Sequence, residues 1–415
     1  MSLVLVVGLL GCNVESKDSS TGGIDLPVTR DSRGALKCPS GMVAVLGDFV
    51  SSQVALLDPQ GEALSASFLS SGSTQASGLA APFSGDLVVP GTRPLGDEVT
   101  LIDRYATNVL TWADPKTASV RAQLPVGTGF ESNPYDYLEL SKTKAYVARF
   151  GDNAAPGKEP FDQGGDILVI DPSVPKIVSS IALPRGTSFP PAPVSLTLRN
   201  ETVIVVLQRF DSMTFMSGES ELLGFNTMTD EVSWNFVLQG KKACGRAELS
   251  PSEKLLAVSC TGIINLDGTL ADPNESGVLV FDATTTPPTL KKTISVHAQL
   301  GFSSQGELAF ASETQILSKT QTPYGGVGDN QLFVLDLTTE ITRVLATARP
   351  DKDGKGKGVV YNGLKCMPGC NDLCLLADTD TGTIRRFDAK ADFMELAPVT
   401  IESSSGLPPV GLGPF

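Results

Sequence analysis

An all-β fold, a seven-bladed β-propeller of four-stranded blades whose ring is closed by a C-terminal strand, is what three features of this 415-residue sequence predict. The chain holds 41 Gly and 28 Pro, so about one residue in six disfavours a helix interior. Hydrophobic residues make up 41% and charged ones 19%, which fits a folded β-rich chain rather than a disordered one. A short apolar run closing on Asp or Asn recurs along the sequence, as it does in repeat architectures.

Taken in order, residues 1–11, MSLVLVVGLLG, form an uncharged apolar run too short to span a bilayer, which takes about 20 residues. They are predicted to be a signal peptide. Leu9-Leu10-Gly11-Cys12 matches the bacterial lipobox, whose cysteine is lipidated and becomes the mature N-terminus. The basic segment that precedes the apolar run in that pattern is missing, and an ordinary signal peptide with an incidental cysteine is the alternative. Asn13 in place of Asp removes an inner-membrane retention signal and points to the outer membrane. Residues 12–41, rich in Ser, Gly and Asp, read as a lipidated flexible tether, because they bury too little apolar surface to repay ordering. Acyl chains at Cys12 would anchor the protein stably.

Residues 42–415 form the propeller, at about 53 residues a blade. Seven runs, closing on Asp58, Asp103, Asp171, Asn226, Asp282, Asp336 and Asp388, are assigned to the third strand, C, of successive blades; their spacings are 45, 68, 55, 56, 54 and 52 residues. The closing Asp or Asn suits a turn into the outer strand D. Continuous rather than alternating apolar runs fit sheets covered on both faces. Strands A and B are read upstream of most runs: Tyr137–Leu140 with Ala145–Ala148, Val194–Leu198 with Val203–Leu207, Ala247–Leu249 with Leu255–Val258, and Leu300–Phe302 with Leu308–Phe310. Blade one lacks strand A before Met42, and the tail Gly406–Leu412 is assigned to supply it. Closure removes exposed sheet edges.

Asn133-Pro134-Tyr135-Asp136, Lys144-Ala145-Tyr146-Val147 and Ile167–Asp171 resemble bacterial surface-layer and YVTN-type propellers, lipid-anchored members included. The resemblance covers most of residues 42–415 and implies a scaffold without a shared catalytic set.

Six cysteines besides Cys12 fit an exported, disulfide-bonded protein. Cys244 and Cys260 flank the A–B hairpin of blade five, and Cys366 and Cys374 bracket a turn in blade seven. Cys38 is expected to pair with Cys370 across the ring closure, with Cys38–Cys366 as the competitor. A zinc site from Cys366, Cys370 and Cys374 is disfavoured by loose spacing.

The chemistry is sparse. One histidine, His297, excludes a multi-histidine metal or haem site. The formal charge of −14 opposes nucleic-acid binding. No nucleophile elbow or phosphate-binding loop occurs, and no cofactor is called for. Gly354–Gly358 reads as a connector. Asp351-Lys352-Asp353-Gly354 lacks the downstream glutamate of a calcium loop, and Asp267-Gly268 with Asp272 makes no better case.

In a propeller, B–C and D–A connections share one face, here termed the loop face, around the channel mouth. Arg149, Arg209 and Arg246 are expected to converge there, with Tyr135, His297, Tyr361 and Asn362, as a positive funnel for a carboxylate, phosphate or acidic polymer. The alternative pairs each arginine with a nearby acid, such as Asp152 or Asp211, strapping blades together. The segment Gly151–Asp166 is read as an insertion accounting for the 68-residue interval. The sequence thus points to a non-catalytic binding or assembly module at the cell envelope, holding another envelope protein or an anionic ligand at the loop face. A hydrolase or lyase at the channel mouth and a structural surface-layer component are the alternatives.

Overall fold

The computed structural model describes residues 38–73, 77–96, 98–186, 188–265, 270–321, 330–348 and 361–415. The predicted signal peptide, Cys12 and most of the tether lie outside these residues, as do Asp267-Gly268 and the segment 349–360 with its glycine–lysine run.

Seven four-stranded antiparallel sheets form the blades of a propeller ring. Apolar side chains from adjacent sheets pack between them. Leu138, Tyr146 and Ile167 of blade three, for example, meet Leu196, Val203 and Phe225 of blade four. Each inner sheet is therefore covered on both faces, which is why its strands are apolar throughout. No helix among the described residues is long and apolar enough to cross a membrane.

The ring closes where expected. Pro409–Pro414 lies antiparallel to Met42–Gly47, with Val43 opposite Gly413 and Val45 opposite Gly411. The N–H groups of Ser40 and Gly41 donate to the Phe415 carbonyl at 2.8 and 3.3 Å, so the last residues assigned to the tether are packed on the ring. A disulfide between Cys38 and Cys370 ties this seam to blade seven. Cys244–Cys260 and Cys366–Cys374 each join strands A and B of one blade. With all six paired, no thiolate is left for zinc.

Two strand assignments need correction. The run Val99–Asp103 is strand B of blade two, not strand C, because it pairs inward with the two-residue strand Leu87–Val88. Strand C of that blade is Val109–Ala113, closed by Asp114. Asp103 is buried and accepts the Ser84 N–H at 2.7 Å, so it makes no turn into strand D. With Asp114 in place, the seven closing residues fall 52 to 57 positions apart, and the 68-residue interval disappears without any insertion. In all seven, the side chain accepts the backbone N–H two residues onward at 2.7–3.0 Å. The second correction falls in blade six. Strands A and B there are Ser303–Phe310 and Gln315–Gln321. Leu300 instead ends a short helix, Val296–Leu300, that Ser295 caps and a left-handed Gly301 stops.

Candidate functional site

The seven A strands line the channel, and most are kinked. Register shifts interrupt the A–B ladder in blades three to seven, and the ladder between Met42–Gly47 and Pro409–Pro414 in blade one. Glycine sits at several of these kinks for a steric reason. A Cβ on Gly245 would lie 1.9 Å from the Gly306 carbonyl oxygen of the next blade. One on Gly363, at φ +59°, would lie 2.5 Å from the Leu412 nitrogen. The kinks let neighbouring inner strands touch and turn polar side chains into the lumen.

At the centre the blades are tied through Gly91. Its N–H donates to Asp136 Oδ1 of blade three at 2.9 Å. Its carbonyl accepts from Lys365 Nζ of blade seven at 3.3 Å. The Arg246 guanidinium of blade five fills the space where a Cβ would stand. Arg246 Nη2 is also 3.4 Å from Asp136 Oδ1. Asp136 is fully buried and accepts further from the backbone N–H groups of Tyr137 and Leu196. Glu307 Oε2 meets Lys319 Nζ at 2.6 Å, and Oε1 accepts the Leu364 N–H at 3.0 Å. Burial alone would raise the Glu307 carboxyl, but Lys319 and Lys365 hold it below its ordinary range. Burial does raise Glu248, against the pull of Lys365 and Arg246.

Beside this network lies a cavity of about 350 Å³ lined by residues of every inner strand or its flank. Arg104, Tyr135, Gln208, Arg246, Gln305 and Lys365 are among its polar lining residues. Arg104 lies 4.8 Å above the Tyr135 ring and is backed by Asp86, which accepts its Nε at 3.1 Å. From Tyr135 an aromatic series runs outward through Phe150 and Phe210 to Phe215, with centroid spacings of 4.9, 5.7 and 6.1 Å.

The predicted arginine funnel does not form. Arg149 is completely buried and grips Asp166 through Nε and Nη2, both at 2.7 Å, while donating to the Val126 and Phe161 carbonyls. Arg209 is likewise buried, bidentate on Glu221 at 2.9 and 2.6 Å, with a third bond to the Pro184 carbonyl. Both lock a B–C strand pair to the preceding D–A connection. Their partners are not the acids named from sequence: Asp152 pairs with Arg185, and Asp211 caps its own turn. Arg246 and Tyr135 do reach the cavity. His297 sits on the short helix of the loop face and does not line it. Tyr361 and Asn362 open strand A of blade seven, but their side chains lie outside the described residues.

Sequence reasoning missed Arg104, Glu307, Lys365 and the two glutamines. A signal existed for two of them, Glu307 and Lys365, and it is shared by Arg246. Arg246, Glu307 and Lys365 each follow an inner-strand glycine within two residues: Gly245, Gly306 and Gly363. Arg104 was hidden by the shifted assignment of blade two.

Comparison by sequence finds no matching family model and no match among curated proteins. Comparison of folds finds propellers. A candidate 6-phosphogluconolactonase of Bacteroides fragilis matches with a TM-score of 0.55 at 12% identity, over 90% of this chain and 97% of that one. Hydrazine synthase of Kuenenia stuttgartiensis matches at 0.55 and 13%, over 89% and 98%. The Cps50 (Swd1) β-propeller domain of Myceliophteria thermophila matches at 0.53 and 11%, over 87% and 95%. At such identities the likeness is one of fold, shared by proteins of unrelated function. The class defined is a seven-bladed, disulfide-bonded propeller with an ion-tied channel.

Proposed function

We propose that this protein is a binding or assembly module of the bacterial cell envelope, lipid-anchored through Cys12 by way of its tether, that holds an envelope protein on its loop face. The observation that carries this is the placement of exposed apolar side chains. Phe49 and Val50 in blade one, Tyr105 in blade two, and Met213, Phe215 and Met216 in blade four are 58–86% exposed, and all belong to B–C connections on that one face. Other exposed apolar residues, Val174 and Met228 among them, stand at C–D turns or on outer strands, but the apolar tips of these B–C connections on a rigid scaffold suit an interaction surface. Three disulfides fit an exported protein, and the lipobox supports the anchor. The likeness to YVTN and surface-layer propellers supports the same scaffold role.

The test separates anchor from docking. Cys12→Ser is expected to release the protein from membranes, with its fold intact. Phe49→Ser with Phe215→Ser is expected to leave it membrane-bound but to remove the envelope protein that co-purifies with the native form. Retention of that partner by the double variant would refute docking at the loop face, and membrane retention of Cys12→Ser would refute the anchor.

A further inference from the structure

The cavity at the channel mouth has a chemistry that protein docking on the loop tips does not use. Its polar wall combines fixed cations, the bonded carboxylate of Glu307 and free amides. Arg104 is held in place by Asp86, and Arg246 and Lys365 converge on Gly91 from blades five and seven. Two of the nearby carboxylates are already engaged, while Glu248, whose carboxyl burial raises, feels the charges of Lys365 and Arg246. Asp136 accepts three backbone N–H groups, and both Glu307 oxygens are bonded. The side-chain amides of Gln208 and Gln305 line the same cavity, half-buried, and make no hydrogen bond among the described residues. Half-buried amides without partners are costly to leave dry, and they suit hydroxyl groups as well as water.

We propose that this cavity binds a hexose-sized hydroxylated anion, a sugar carrying one carboxylate or phosphate, with the charged group on Arg246 and Lys365 and the hydroxyls on Gln208, Gln305 and Tyr135. A cavity of about 350 Å³ matches a ligand of that size. Guanidinium recognises the planar or tetrahedral oxyanion with two N–H donors. Arg104 at the mouth, stacked on Tyr135, adds positive potential along the approach. The site is independent of the exposed loop tips, so failure of either proposal leaves the other standing.

Isothermal titration of the full chain with glucuronate, glucose 6-phosphate and glucose tests it. One or both anions should bind, and glucose should not. Binding of glucuronate alone assigns a carboxylate, and of glucose 6-phosphate alone a phosphate. Arg246→Gln should weaken the anion at least tenfold in a variant shown to be folded, and Gln305→Ala, outside the ion network, severalfold. The proposal is overturned if neither anion binds at millimolar concentration, or if glucose binds equally well. An Arg246→Gln variant that folds and keeps its affinity also overturns it. If that variant does not fold, unchanged affinity in Gln305→Ala does so instead.

Discussion

The two faces of the ring are built on opposite plans. On the face of the C–D turns, seven blades repeat one device, an Asp or Asn side chain closing strand C onto the N–H two residues ahead. On the loop face the described B–C connections vary in length, from residues 48–51 in blade one to 261–276 in blade five, and the device recurs only in part, at Asp48, Asp211 and Asp378. Blade four even carries an extra hairpin there, Phe210–Asp211 against Met216–Ser217. Repetition on one side with variation on the other teaches that the turn face is scaffold and the loop face is where this chain is individual. The division is not absolute, because Arg149 and Arg209 lie at the loop face and are scaffold too.

That exception gives the largest expected effect. Arg149→Ala should destabilise the protein by about 3–5 kcal/mol, since it strands a buried Asp166 and two carbonyls. Urea unfolding measures this, and a loss under about 1 kcal/mol would return Arg149 to the ligand-binding candidates. A smaller effect is expected on the turn face. Asn226→Ala removes two uncharged turn bonds, from the Met228 and Thr229 N–H groups, and should cost about 1 kcal/mol at any pH. Its counterpart Asp336 is held below its ordinary carboxyl range, first by the Thr339 N–H, which outweighs the opposing effect of burial, and then by the Thr338 N–H. A depressed folded-state value means that its contribution is present at neutral pH and is lost as pH falls below about 4. Asp336→Asn should therefore be less stable than the native protein at neutral pH and converge on it as the pH falls through the folded-state range. An identical acid profile would show that the turn carboxylates do not carry the pH dependence. Smallest of all, Phe215→Ser should change stability by no more than about 0.5 kcal/mol, because its ring is 78% exposed.

The same contrast explains how much was legible in the sequence. Covered strands write themselves as apolar runs, and the closing Asp or Asn marks the turn, so the blades and the returning Pro409–Pro414 strand were readable. Blade two misled because its inner strand is only Leu87–Val88, and Val99–Asp103 imitates a strand C run while serving as strand B. Gly306, at the kink of blade six, hid the first half of strand A, so that only Leu308–Phe310 of it was read, as strand B. In the site, position was readable but direction was not. Arg149 and Arg209 stand at the ends of strand B as predicted, yet each turns to the acid that opens strand C, Asp166 or Glu221. Those acids immediately precede the apolar runs, and Arg149 lies directly opposite Asp166 in the strand register. Knowledge of cross-strand register would have exposed the pairing. Gly91 and its partners from three blades come together only through ring closure, which no local pattern encodes.

The working-face claim is tested most directly by placing a photo-crosslinking residue at Met213 or at Met228 and irradiating intact cells. The two side chains are 86% and 77% exposed on opposite faces, so accessibility does not bias the outcome. Adducts to an envelope protein from position 213 and none from position 228 are predicted; adducts from 228 with none from 213 would contradict the account.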